Sequence, residues 1–87
     1  MKLRNGYLLR RVAGKNIVVS VGNDVDFTGM LTLNDTGVFY WNMLINGTTK
    51  EEMLDAITKE YDVSEQDALT DLDEFILKLT EAKLLED

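Results

Sequence analysis

The sequence predicts an α+β fold, a three-stranded antiparallel sheet followed by three helices. Three observations carry this expectation. Loosely alternating runs rich in β-branched residues end at Leu33, apolar stripes at helical spacing fill the remainder, and capping residues stand at the helix boundaries. The 87 residues contain no Pro and no internal repeat, and that length fits a single domain spanning 1–87.

The first strand is YLLRRVA, residues 7–13, and the second is IVVSV, residues 17–21. Gly14-Lys15-Asn16 between them is a short hairpin signal. Gly22-Asn23-Asp24 breaks the pattern, and a loop closed by Gly29 leads to a third strand, Met30 to Leu33. Strand side chains alternate, so Leu31 and Leu33 share one face and Met30 and Thr32 the other. Consecutive short strands form a meander, which leaves the third at an edge.

Asn34 is placed to cap a first helix running from about Asp35 to Ile45 and stopping at Asn46-Gly47. Gly37 in its first turn lowers helix propensity by about 1 kcal/mol, so another backbone segment or side chain is expected to pass close by. Val38, Trp41, Leu44 and Ile45 form one apolar stripe of this helix, and Phe39 and Met43 a second. Thr49 and Glu52 form a capping box for a second helix, whose stripe is Met53, Leu54, Ile57 and Tyr61. Tyr61-Asp62-Val63 bends the chain, and Ser64 caps a third helix of about Glu65 to Ala82. Ala68, Leu72, Phe75, Ile76 and Leu79 are its core stripe. The last two helices outline a helix-turn-helix and the strand hairpin a wing, so the fold is winged-helix-like.

Composition narrows the function. An apolar content of 45% with 29% charged residues belongs to a globular protein. The absence of Cys removes disulfides and thiolate metal sites, and MKLRNGYLL lacks the apolar run of a signal peptide. No segment has the apolar length of a membrane span, so a cytoplasmic protein is expected. Charge is uneven. Residues 1–43 carry five basic and three acidic side chains, whereas residues 44–87 carry four and thirteen, for a net −7 overall.

Catalysis is poorly provided for. With no His, no Cys and two Ser, the usual bases and nucleophiles are missing, so no catalytic residue is assigned and the chain is not read as an enzyme. Asp24-Val25-Asp26 is too short and too poor in ligands for a calcium loop, and no metal or cofactor is expected. Nucleic acid is excluded by sign. The would-be recognition helix opens with Glu65, Asp67, Asp71, Asp73 and Glu74, which repel phosphate.

Peptide recognition remains. An unpaired strand edge is a template for a guest strand. Ordering each guest residue costs roughly 1–2 kcal/mol of backbone entropy, and each new hydrogen bond returns only about 1 kcal/mol. Affinity must therefore come from guest side chains entering a groove, at roughly 25 cal/mol per Å² of apolar surface buried. On a helical projection of the third helix, Leu69 and Ile76 lie at one margin of the core stripe. Asp73 and Leu77 lie beyond them, with Thr80 close by. The alternative is an interaction module that uses Phe39 and Met43 as a hydrophobic patch for a folded partner or a homodimer.

LTLNDTG, Trp41, Leu44, NGTTKEEM, EYDVSEQDALTDLDEFILKL and KLLE, in that order, resemble the PqqD family of RiPP precursor recognition elements. The likeness runs from about Tyr7 to Glu86. It implies a winged-helix-like domain that binds the leader of a ribosomally made precursor peptide and presents it to a modifying enzyme. In the namesake pathway that enzyme is a radical SAM protein and the product is pyrroloquinoline quinone. The resemblance places the leader as an added strand on Met30, Leu31, Thr32 and Leu33. Against it would stand Leu69, Asp73, Ile76, Leu77 and Thr80 of the third helix.

Overall fold

A computed structural model describes residues 1–20 and 31–86. The elements are β1 (Lys2–Leu3), β2 (Tyr7–Val12), β3 (Lys15–Ser20), β4 (Leu31–Leu33), α1 (Asp35–Asn46), α2 (Lys50–Glu60), α3 (Glu65–Glu81) and β5 (Leu85–Glu86). The expected three-stranded antiparallel sheet is present in the order β2-β3-β4, and the three expected helices follow it. Met30 and Val21, expected at strand ends, lie outside the described residues.

The β2–β3 hairpin turns one residue earlier than Gly14-Lys15-Asn16 suggests. Val12 pairs with Lys15, so Ala13 and Gly14 alone form the turn. Their φ values of 52° and 79° are those of a two-residue type I′ turn, whose twist matches that of the flanking strands. β4 pairs with β3 through Asn16–Leu33, Ile17–Thr32 and Val18–Leu31. Leu33 is buried, Leu31 half-buried and Thr32 exposed, as alternation requires.

Two strands escaped the sequence reading. β1 and β5 pair antiparallel, with Lys2 opposite Glu86 and Leu3 opposite Leu85. This ribbon joins the two ends of the described chain, and Arg4 N–H donates to the Leu84 carbonyl at 2.8 Å. Thr48 N–H donates to the Met1 carbonyl at 2.8 Å, which ties the α1–α2 link to the same ribbon.

The helix caps are as the sequence reads. The Asn34 side chain accepts from Gly37 N–H, the Thr49–Glu52 capping box is complete, and Ser64 accepts from Asp67 N–H. α3 ends one residue early. Lys83 takes a left-handed conformation (φ 60°), and the Leu84 and Lys83 N–H groups donate back to the Leu79 and Thr80 carbonyls. This is a Schellman ending, with Leu84 as its fully buried apolar anchor.

The core joins Val18 and Leu33 of the sheet to Tyr40, Trp41 and Leu44 of α1, Met53 and Ile57 of α2, and Ala68, Leu72, Phe75 and Leu79 of α3. Tyr40, outside both stripes read on the first helix, is fully buried, whereas Ile45 of the first stripe is half exposed. Ile76 is half-buried at the margin of its stripe.

Candidate functional site

The sheet order leaves β2 and β4 as its two borders among the described residues. The two borders differ in what lies beside them. A hollow beside β2 is walled by residues of β1 and α1, including Leu3, Trp41 and Ile45. Beside β4 a groove of about 420 Å³ is walled on one side by Thr32, Leu33 and the start of α1, and on the other by α3. No β3 residue lines it, so it opens on the side of β4 away from β3. Its volume lies within the range of small-ligand sites, roughly 300–1,000 Å³.

Gly37 keeps this junction close. A Cβ on it would stand 3.1 Å from the Leu33 Cβ, 3.2 Å from Asn34 Oδ1 and 3.4 Å from Phe75 Cε1. The expectation of a close neighbour at this glycine therefore holds, and the neighbours are β4 and α3 themselves. The groove is bridged by Thr36, whose hydroxyl lies 3.0 Å from Asn34 Oδ1 and 3.3 Å from Asp71 Oδ2.

Tyr40 lies at the base of the groove. Its ring packs against Phe75 at a centroid distance of 5.3 Å, and the residue is fully buried. Its hydroxyl is buried and has no hydrogen-bond partner among the described residues. Burial, aided by the negative charge of Asp71 and then by Tyr61, pushes the phenol up to about 12. It is therefore a neutral donor near neutral pH.

The α3 wall is Asp71, Glu74, Phe75 and Lys78. These are not the residues named from the sequence. Leu69, Asp73, Ile76, Leu77 and Thr80 occupy the opposite flank of α3, across the buried stripe of Leu72 and Leu79. Asp73 forms an ion pair with Lys50 at the start of α2. Ile76 and Thr80 border a separate hollow beside Arg4 and Leu85, and the Thr80 hydroxyl donates to the Ile76 carbonyl at 2.7 Å. Leu69 and Leu77 are exposed, Leu77 at 57%. The structure thus brings Thr32 and Leu33 to the groove, with Leu31 preceding them on β4, and does not bring the five helix residues there. A helical projection yields two flanks, and only the packing of α3 on α1 and β4 tells which one meets the strand.

Phe39 and Met43 do not form the exposed patch considered for a partner. Both are half-buried against the core, and Phe39 makes edge-on contacts with Tyr40 at 6.2 Å and Tyr61 at 5.8 Å. Their apolar surface is largely spent inside the fold. Among the described residues, no group of three His, Cys, Asp or Glu is placed to hold a metal, and no helix is long and apolar enough to cross a membrane.

Comparison with known proteins gives two matches. A solved structure of TbiB1 in complex with the TbiA(beta) leader peptide is similar to the chain with a TM-score of 0.77 and 26% identity, covering 99% of this chain and 95% of that one. No curated protein matches. The family described as coenzyme PQQ synthesis protein D (PqqD) matches residues 9–85, nearly the whole α+β unit built above, and the chain belongs to that family.

Proposed function

We propose that this protein binds the leader segment of a ribosomally made precursor peptide as an extra strand on β4 and presents it to a modifying enzyme. The observation that carries the reading is the border of β4, unpaired among the described residues and facing α3 across a groove, in a fold whose structural neighbour, TbiB1, was solved with a leader peptide. β4 has only three residues, so main-chain pairing supplies register and little net affinity. The groove supplies the rest by taking those guest side chains that point toward α3.

The protein acts as an adaptor and performs no covalent step itself. The chain has no His and no Cys, which fits that role. Its enzyme partner is a peptide-modifying maturase, with a radical SAM enzyme of quinone-cofactor synthesis as one member of that class. Leu31, Thr32 and Leu33 provide the pairing strand. The facing wall is the flank of α3 that lines the groove, in place of Leu69, Asp73, Ile76, Leu77 and Thr80.

Titrating isotope-labelled protein with a candidate leader peptide tests this. Amide shifts should concentrate on residues 31–37 and on Asp71, Glu74, Phe75 and Lys78. Shifts confined to α2, or to the flank of α3 bearing Leu69 and Leu77, would refute the site.

A further inference from the structure

We infer that the groove selects a guest peptide bearing a basic side chain, Arg or Lys, at the position facing α1, and that Tyr40 and Asp71 together read it. The inference rests on the strand-addition reading above and adds the chemistry of the guest.

Two independent observations point to it. The first is the Tyr40 hydroxyl, a buried polar atom of a fully buried residue that lines the groove, with no partner among the described residues. Buried polar groups in folded proteins are rarely unpartnered, and one placed at a ligand groove invites a group from outside. The second is Asp71. It accepts from the Thr36 hydroxyl, and no cation pairs with it among the described residues, whereas Asp73 on the opposite flank has Lys50. Glu74 and Lys78 stand further along the same wall. Asp71 is distinguished by its place beside Tyr40, whose phenol feels its negative charge.

These features select one kind of side chain. An acidic guest residue would be repelled by Asp71. A purely apolar one would leave both the phenol and the carboxylate unmet. A long cationic side chain entering beside Asp71 lays its methylene stem on Phe75, places its charge against the carboxylate, and gives an N–H to the Tyr40 oxygen. Arg suits the site better than Lys because its planar fork carries donors for both oxygens at once. The field agrees in sign, because residues 44–87 hold thirteen acidic against four basic side chains and draw in a cationic segment.

The test uses a display library of random short peptides selected on the whole protein, with binders mapped by amide shifts at Leu31–Leu33. Binders that pair with β4 should share Arg or Lys at one fixed position. Replacing that residue by citrulline, which keeps the shape and removes the charge, should weaken binding roughly tenfold in the wild type. In Tyr40→Phe with Asp71→Asn the same replacement should cost nothing. Tyr40→Phe alone should fold at least as stably as the wild type, since it deletes an unpartnered polar atom, while losing affinity for the Arg peptide. Binders that shift β4 but show no basic preference, or that tolerate citrulline equally, overturn this inference and leave strand addition standing. An undiminished citrulline penalty in the double variant places the cation elsewhere and also overturns it. A library that yields no binder shifting β4 overturns the strand-addition reading and this inference with it.

Discussion

The α-carbon of Gly37 is held so near Leu33 that a methyl group on it would stand 3.1 Å from the Leu33 Cβ. Leu33 is the last residue of β4 and Gly37 lies in the first turn of α1, so this contact sets the angle at which the strand feeds the helix. The Leu33 Cβ is fixed to its backbone, and Asn34 Oδ1, at 3.2 Å, is committed as the helix cap. Neither can yield cheaply.

Gly37→Ala should therefore destabilise the protein, despite alanine's better helix propensity of about 1 kcal/mol. Overpacking typically costs about 1–3 kcal/mol, so the net loss should be roughly 0–2 kcal/mol. Denaturant unfolding measures it. A stabilised variant would mean that the β4–α1 junction relaxes freely and does not hold the groove in shape.

Ala13 and Lys83 are the non-glycine residues with left-handed backbone among those described. A side chain in that conformation costs roughly 1–2 kcal/mol. Ala13→Gly and Lys83→Gly should each stabilise the fold by up to about 1 kcal/mol, less the entropy glycine adds to the unfolded chain. Each should raise the thermal midpoint by a few degrees, about 4–8 °C per kcal/mol for a domain of this size. No change at Lys83 would indicate that its side chain repays the backbone cost.

These two residues also mark where the sequence is silent. The caps at Asn34, Thr49 and Ser64 were legible because capping needs particular side-chain oxygens at fixed spacing. The stripe Ala68, Leu72, Phe75, Leu79 was legible because burial imposes a helical period. Ala13 and Lys83 carry no glycine signal, and turn geometry and the Schellman bonds impose their conformations from outside. The pair β1–β5 was invisible because strands of two residues have no period. Of the groove's lining, the strand β4 was legible and the α3 residues were not. Leu69 and Asp71 sit on opposite sides of the same stripe, and local pattern treats both sides alike. Tyr40 was missed because a tyrosine between two apolar stripes looks peripheral until both stripes are seen to be covered.

The two flanks of α3 can be separated directly. Leu77→Asp changes an exposed side chain away from the groove and should shift stability by no more than about 0.5 kcal/mol, with leader affinity unchanged. Asp73→Asn removes a solvent-exposed ion pair with Lys50 and should cost at most about 1 kcal/mol, again without effect on binding. Glu74→Arg places a longer, oppositely charged side chain on the groove wall and should weaken binding of a basic leader several-fold. Isothermal titration on the three variants is the check. Loss of affinity in Leu77→Asp with retention in Glu74→Arg would move the site to the flank of Leu69, Asp73, Ile76, Leu77 and Thr80.

The buried phenol of Tyr40 also makes stability depend on alkaline pH. Its folded pKa, raised to about 12, lies above the unfolded value of 10.0, chiefly because burial opposes the charged form. Between those values the unfolded chain releases the proton and the folded one holds it, so ionisation favours unfolding. The contribution is intact below pH 10 and disappears as pH rises toward 12. A shift of this size corresponds to about 2–3 kcal/mol by linkage. Wild-type protein should thus lose stability steeply across that window, and Tyr40→Phe should lose less, since only Tyr7 and Tyr61 then remain. Denaturant midpoints measured at intervals through the window compare the two. A leader peptide that donates to the Tyr40 oxygen would also stabilise the tyrosinate, so at saturation it should flatten the wild-type curve toward that of the variant. Parallel wild-type and variant curves in the absence of peptide would mean that the Tyr40 hydroxyl is reached by water, and would remove the unpartnered atom on which the proposed recognition of a basic guest rests.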